Sequence, residues 1–483
     1  MSVKPQNLLF IMSDQHNREM AGYYGHPVVK TPNLDGLAQR GVRFTHAYSN
    51  CPICVPSRAS LATGRYVHQL RAWDNASPYI GEVPSWGHRL NAQGHHVTTI
   101  GKLHYRDAHD DTGFPDQRLP MHVLEGEGDL FSLIRQNMPA RPYPRREVEE
   151  AHAGESEYTR YDTAIAAEAC RWLQEEAHTH TQPWTLFVSL TTPHHPLIAP
   201  QEFMDLYPLE SVIFPRQYAL SERSRHPALE ELRRVFSVSD EFDETTVRRA
   251  VAAYYALCSF MDAQVGKVLS ALEASGLADT TRIIYTSDHG DTNGDHGLWR
   301  KHTMYEGSAG IPFIMAGPDL PENTVVETNI SLVDCLPTIL EAVGVPLTPE
   351  DADLPGTSLF PLAQDTVPTE RTAFSEYHAA GSITGFFMVR GKRYKYIEYP
   401  GYPSQLFDLV DDPNELHDLA QNAEFADVLS ACAADMRQIC DPEEINRQAL
   451  ADQHKKMAEN GGEAAIRAQG FRIPFTPAPA DFR

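Results

Sequence analysis

Apolar residues in this chain gather in short unbroken runs, and each run is followed by polar side chains. Asn7 to Met12 (NLLFIM) shows no alternation, as expected of a strand covered on both faces in a parallel sheet. Ser13-Asp14-Gln15-His16 follow where it should end. His95 to Ile100 predicts a second strand running into Gly101-Lys102-Leu103-His104, and Trp184 to Leu190 a third, introduced by Pro183 and ending at Thr192-Pro193-His194-His195-Pro196. Arg282 to Thr286 predicts a fourth that delivers Ser287-Asp288-His289-Gly290, and Ile311 to Ala316 a fifth. Helical spacing separates them. Leu34, Leu37 and Ala38 follow a Thr31 cap and Pro32 and stop at Gly41, Tyr161 to Ala177 carries Ile165, Ala169, Trp172 and Leu173, and Thr246 to Leu272 is a long amphipathic helix closed by Gly276.

Strands alternating with helices predict an α/β sheet. In such sheets ligands bind beyond the carboxyl ends of the strands, which would bring Asp14, Lys102, His194, Asp288 and His289 to one crevice. Tyr105 to Arg160 is rich in Pro, Gly and charge without a sustained period, and reads as an insertion forming a lid or substrate pocket. After about Pro361 the texture changes. Phe386 to Val389, Tyr394 to Tyr399 and Leu406 to Leu409 predict antiparallel strands, and Pro413 to Leu419 a polar helix. The division expected is a catalytic α/β domain over 1–365, an α+β subdomain over 366–440 and a tail over 441–483. That tail, with Gly461-Gly462 and a Pro-rich end, is expected to pack on the body or on another subunit of a homo-oligomer.

The chain has 483 residues and a net charge of −24, with no long basic run, which argues against a nucleic-acid partner. An anionic substrate would therefore be repelled by the general field, and local cations must overcome it. Leu8 to Met12 is too short for a signal-peptide core or a membrane span. The 7 scattered cysteines fit reduced thiols, so the location expected is cytoplasmic.

One stretch concentrates the chemistry. In Ser49 to Tyr66, Cys54, Pro56 and Arg58 form CxPxR ahead of small and apolar residues that read as a helix. A thiol at a helix N-terminus beside a guanidinium makes an anion site with a reactive atom in it. Cys51 and Cys54 also form a CxxC, the mark of a redox pair or half a zinc site, but no second CxxC follows. A buried turn thiol is the plain alternative.

The run Cys54 to Gly64 (CVPSRASLATG) resembles the signature of the type I sulfatases of the alkaline phosphatase superfamily. Gly101-Lys102-Leu103-His104, Pro193-His194-His195-Pro196 and the segment around Lys301 resemble further motifs of that family, as does Phe407-Asp408-Leu409 before Asp412-Pro413-Asn414-Glu415. The resemblance implies an alkaline-phosphatase-like, mainly parallel sheet flanked by helices, with a small C-terminal antiparallel sheet. It also implies that a formylglycine-generating enzyme oxidises Cys54 to formylglycine. One divalent metal is implied on Asp14, Asp288, His289 and the oxygen of the converted Cys54, and Gln15 could add an amide oxygen. The family commonly has Asp-Asp and Asp-Asn where this chain has Asp14-Gln15 and Asp288-His289. That variation, with Asn75, resembles the choline sulfatases, for which calcium fits, and the phosphonate monoester hydrolases, for which manganese fits.

The chemistry implied starts from the hydrated aldehyde, one hydroxyl of which attacks the sulfur or phosphorus of a small anionic ester. Arg58, Lys102 and Lys301 neutralise the transferring group, and His194 or His104 protonates the leaving oxygen. Loss of the second hydroxyl's proton, to His104, then releases the product. The reading is a sulfate monoester hydrolase of arylsulfatase type, with phosphonate monoester, phosphodiester or choline sulfate hydrolysis as alternatives. A non-catalytic anion-binding module with an unconverted Cys54 is the alternative from another class.

Overall fold

The computed structural model describes residues 5–364, 369–471 and 475–483. Strand β1 (Asn7–Asp14) is the centre of an eight-stranded sheet. Its residues Leu8 to Met12 are wholly buried on both faces, which is why the run needs no alternation. With β2 (Gly41–Phe44), β3 (Val97–Lys102), β4 (Asp116–Met121), β5 (Thr185–Pro193), β6 (Thr281–Ser287), β7 (Phe313–Ala316) and β8 (Thr324–Val326), the order is β8-β2-β7-β6-β1-β5-β3-β4. β7 pairs antiparallel with both neighbours and every other pairing is parallel.

Helices cover both faces. α1 (Pro32–Gln39), α3 (Glu157–Glu175) and α4 (Glu244–Ala274) contribute Leu34, Trp172 and Val265 to one apolar cluster, while α2 (Cys54–Thr63) and α5 (Cys335–Val343) contribute Ala59 and Leu336 to another. The caps of the two long helices explain where they start: Ser156 accepts from Thr159 N–H and Asp243 from Thr246 N–H. Thr31 is the N-cap of α1 as expected, its carbonyl taking the Asp35 N–H at 2.8 Å, while its hydroxyl donates to Asp35 Oδ1 and accepts the Gly22 N–H, each at 2.9 Å.

Irregularities at strand ends aim the chemistry. The β1 register shifts between Met12 and Asp14, and the β3 register between Ile100 and Lys102. At the second, Gly101 has φ +101°, and a Cβ there would collide with the Ser189 carbonyl oxygen, so only glycine lets β3 turn Lys102 inward beside β5.

The predicted strand Ile311 to Ala316 is two pieces. Pro312 breaks it, leaving Gly310–Ile311 paired with Ala47–Tyr48 and only β7 in the large sheet. The C-terminal sheet has four antiparallel strands, β9 (Ala373–Tyr377), β10 (Phe386–Arg390), β11 (Tyr394–Glu398) and β12 (Gln405–Asp408), of which β9 was not anticipated. Pro413 to Leu419 is not helical. Glu415 takes φ +56°, which ends any helix there, and its carboxylate is drawn to Lys395 Nζ at 2.8 Å; the helix starts later as α6 (Ala426–Ile439). The expected boundary at 365/366 lies outside the described residues.

The tail is more ordered than its composition suggests. α7 (Pro442–Glu459) buries Ile445 and Ala449 beside the small sheet, and α8 (Glu463–Gln469) buries Ile466 against Leu130 and Phe131. It packs on the body of its own chain. The 105–160 stretch, expected to be an insertion, instead supplies the sheet's edge strand β4 and the start of α3; its loop residues, Val123 to Phe131 and Arg141, meet the tail and line with it one cavity over the carboxyl ends of the strands. No helix among the described residues is long and apolar enough to cross a membrane.

Candidate active site

The strand ends and α2 converge. Cys54 is the first residue of α2, and its N-cap, Ile53, offers no side-chain acceptor. Asn75 Oδ1 serves instead, taking the Val55 N–H at 3.2 Å. The Ser49 and Ser57 hydroxyls donate to the Asp288 carbonyl at 2.6 and 2.7 Å, locking α2 to the end of β6. Cys54 Sγ then lies 3.6 Å from Asp14 Oδ1, 3.2 Å from His289 Nε2 and 3.1 Å from Lys301 Nζ.

Asp14, Cys54, Asp288 and His289 each offer one ligand atom, all within 4.8 Å of one another. What surrounds them turns these atoms inward. Arg58 holds the outer oxygens, Asp288 Oδ2 from Nε at 2.9 Å and Asp14 Oδ2 from Nη2 at 3.2 Å. The Gly290 carbonyl lies 3.1 Å from His289 Nδ1, so the proton sits on Nδ1 and Nε2 keeps its lone pair. Burial, with Lys301 opposing Asp288 and Asp14, brings the His289 pKa to about 4, which keeps the ring neutral. Two carboxylates, a neutral imidazole and the oxygen that would replace Sγ suit a hard or borderline divalent ion such as calcium or manganese.

The cations are held as tightly. Arg58 Nη1 donates to the Lys102 carbonyl at 2.7 Å and to Ser189 Oγ at 2.9 Å, while Lys102 Nζ meets Asp14 Oδ2 at 2.6 Å. Burial opposes ionisation of Asp14, but Lys102, His194, Arg58 and Lys301 outweigh it and hold the carboxyl well below the usual range. Lys301 is 6% exposed, and among the described residues no carboxylate lies within ion-pair distance of it. Gln15, expected to add an oxygen for the metal, gives that oxygen to Lys301 Nζ at 2.9 Å and its nitrogen to Asp291 Oδ2 at 2.5 Å. It ties the lysine to the cluster. Cys54 itself is pushed upward by burial and by Asp14, against Lys301 and Lys102, so the unmodified thiol is a poor nucleophile here.

His194 and His104 both line the cavity. Burial, helped by Lys301 for His194 and by Lys102 and Arg58 for His104, holds both imidazoles well below 6.5. His194 Nδ1 donates to the His195 carbonyl at 2.8 Å, which leaves Nε2 as the working atom. His104 Nε2 meets Thr476 Oγ1 at 2.7 Å, and Tyr158 Oη fixes that residue through its carbonyl at 2.6 Å. Gln15, His104, Arg300 and His302 take φ of +70°, +61°, +71° and +86°. A non-glycine residue held there costs ~1–3 kcal/mol, and such outliers gather where a site fixes its side chains.

Every site residue singled out from sequence is therefore brought together: Asp14, Gln15, Cys54, Arg58, Asn75, Lys102, His104, His194, Asp288, His289 and Lys301. Others were missed. Ser189 orients Arg58, Asp291 orients Gln15, Thr476 orients His104, and Arg141 with Phe131 and Phe471 lines the cavity. Asp291 had a signal, standing three residues after Asp288 in Asp-His-Gly-Asp. Thr476 had none, since its tail carries no periodic pattern.

Comparison with known proteins agrees with this geometry. The family model described as Sulfatase matches residues 6–345, and one described as N-sulphoglucosamine sulphohydrolase, C-terminal, matches residues 294–441. Arylsulfatase K of Bos taurus is 30% identical over 458 residues, covering 90% of this chain and 81% of that protein. Choline-sulfatase of Rhizobium meliloti (strain 1021) is 32% identical over 434 residues, covering 87% and 84%. The crystal structure of the phosphonate monoester hydrolase of Agrobacterium radiobacter has a TM-score of 0.71 at 26% identity, covering 92% of this chain and 96% of that one. With acids, imidazole, cations and a helix-borne cysteine gathered as its motifs imply, the chain belongs to the sulfatase family, the hydrolases of sulfuric esters.

Proposed function

We propose that the protein hydrolyses sulfate monoesters of arylsulfatase type, using a formylglycine made from Cys54. The observation that carries this reading is the placement of Cys54 on a helix N-terminus, 3.1 Å from Lys301 and within one cluster with Asp14, Asp288 and His289. Asp14, Asp288, His289 and the modified residue 54 would hold a divalent ion. When bound, that ion supplies Lewis acidity and offsets negative charge on the reacting group. The hydrated aldehyde supplies the attacking oxygen and a second hydroxyl whose deprotonation frees the product.

The chain's own residues do the rest. Lys102 and Lys301 hold the sulfate oxygens and offset the charge that builds up on them. Arg58 keeps the Asp14 and Asp288 oxygens turned inward. A bound anion opposes the Lys301 and Lys102 fields at His194 and so raises its proton affinity, and the ring passes that proton to the departing oxygen. His104, held neutral, takes the proton whose loss completes the cycle. The overall negative charge of the chain makes this local excess of cations necessary.

Phosphonate monoester hydrolysis is the second reading, favoured by the Asp288-His289 pair and by the similarity to the Agrobacterium radiobacter enzyme. A substrate panel on metal-loaded, converted protein separates the two. In that panel, kcat/KM for an aryl sulfate should exceed that for the phenylphosphonate ester of the same phenol. The reverse order would assign the site to the phosphonate reaction.

A further inference from the structure

The cavity holds a polar feature that the proposed reaction leaves unused. Arg141, from the 105–160 stretch, is 4% exposed. Its guanidinium lies against two adjoining rings whose centroids are 6.1 Å apart, 5.3 Å from the Phe131 centroid and 4.6 Å from that of Phe471. Asp129 Oδ2 takes Nη1 at 2.8 Å and fixes the plane. Among the described residues, Nε and Nη2 are buried with no hydrogen-bond partner. Those two atoms form one edge of the guanidinium, an edge that donates two parallel hydrogen bonds to a carboxylate. Buried donors without an acceptor are unfavourable, and a ligand carboxylate would relieve both together. Nδ1 of His104 and of His302, which line the same cavity, are also without a partner among the described residues, so polar atoms of this wall are left for a ligand to meet.

We propose that Arg141, Phe131 and Phe471 form a leaving-group subsite for an aromatic or ring alcohol that carries a carboxylate. The inference rests on the sulfate ester reading and narrows it. The ring of the leaving group packs on the phenyl walls while its carboxylate takes the Nε and Nη2 edge. Phe471 is only partly buried and lines the cavity, where its ring face is open to a ligand. A quaternary ammonium group would instead meet a guanidinium where an aromatic cage has to be empty, which sets choline-type esters aside.

The test compares 4-carboxyphenyl sulfate with phenyl sulfate on the converted, metal-loaded protein and on the Arg141→Met and Arg141→Lys variants. The quantity read is the ratio of the two kcat/KM values, which cancels general losses. The ratio should fall about tenfold or more in Arg141→Met, the size of a charge-assisted hydrogen bond, and recover only in part in Arg141→Lys, which keeps charge without the fork. An unchanged ratio in both variants overturns the proposal. If neither ester is hydrolysed by the unsubstituted protein, the sulfate ester reading fails, and the subsite is judged by calorimetric titration with 4-hydroxybenzoate and phenol. There, tighter binding of 4-hydroxybenzoate by about tenfold or more supports the subsite. Equal affinities overturn it.

Discussion

Two buried charge clusters in this protein use the same residue types to different ends. One is the site around Cys54. The other joins the main sheet to the C-terminal sheet: Lys395 Nζ meets Glu306 Oε1 at 2.5 Å and Glu415 Oε1 at 2.8 Å, Arg18 pairs with Glu306, and Glu415 Oε2 accepts the Glu306 N–H at 2.6 Å. Both cations also lie over the Tyr48 ring, at 5.6 and 5.8 Å. Both acids there sit in ion pairs, Glu306 with Arg18 and Lys395 and Glu415 with Lys395, although burial and Glu306 push the Glu415 pKa up to about 7. Around Cys54, two carboxylates face Arg58, Lys102 and Lys301, and the surplus cation borders a cavity. Burial of charge therefore does not mark function in this molecule; imbalance, with ligand atoms turned to one point, does.

Substitutions can break that comparison from either side. Lys395→Met leaves two buried carboxylates without their shared cation and should lower stability by about 3–5 kcal/mol, read as a drop in Tm, while kcat of the folded fraction stays near the original. Lys301→Met is the converse. It removes an unpaired buried cation, so Tm should hold or rise, while kcat/KM falls by about 10²–10³-fold, as for loss of one donor to a developing oxyanion. A common response of Tm and activity in both variants would erase the distinction.

A third cluster sharpens it through pH. Glu376 Oε1 lies 2.8 Å from His68 Nδ1 and Glu376 Oε2 lies 3.0 Å from His378 Nε2. Burial opposes its ionisation, but His68 and His378 outweigh this and bring the Glu376 pKa to about 2, below the usual 4.5. A depressed carboxylate contributes stability that is full above 4.5 and is lost as pH falls through about 2. The His68 pKa is raised by Glu376 against burial, so its share is full below 6.5 and fades as pH rises through the raised value. The Tm difference between the native protein and Glu376→Gln should thus shrink on acidification from pH 5 to 2, by the equivalent of at most about 3 kcal/mol. A constant difference over that range would deny the linkage.

The smallest effect concerns the tail. Thr476→Val removes the partner of His104 Nε2 and should cost about tenfold in kcat and displace one limb of its pH profile. A uniform loss at every pH would make Thr476 a packing residue only.

The parts of this site visible in the sequence are those attached to regular elements. Asp14, Lys102, Asp288 and His289 stand at the ends of apolar runs, and Cys54 and Arg58 open a helix, so period and position located them. Arg141 and Thr476 stand on segments without period, and long-range packing alone brings them in. For the fold, runs buried on both faces made the parallel strands plain. Pro312 and the left-handed Glu415 ended elements where the apolar pattern continued. Gln15 bonds Lys301 and Asp291, partners that spacing alone does not give because it carries no side-chain direction.

The most direct test follows the Cys54 peptide by mass spectrometry in preparations made with and without a formylglycine-generating enzyme, alongside aryl sulfate turnover. The account predicts that turnover rises in proportion to the fraction of residue 54 carrying the aldehyde. Full turnover by protein in which every Cys54 remains a thiol would contradict it.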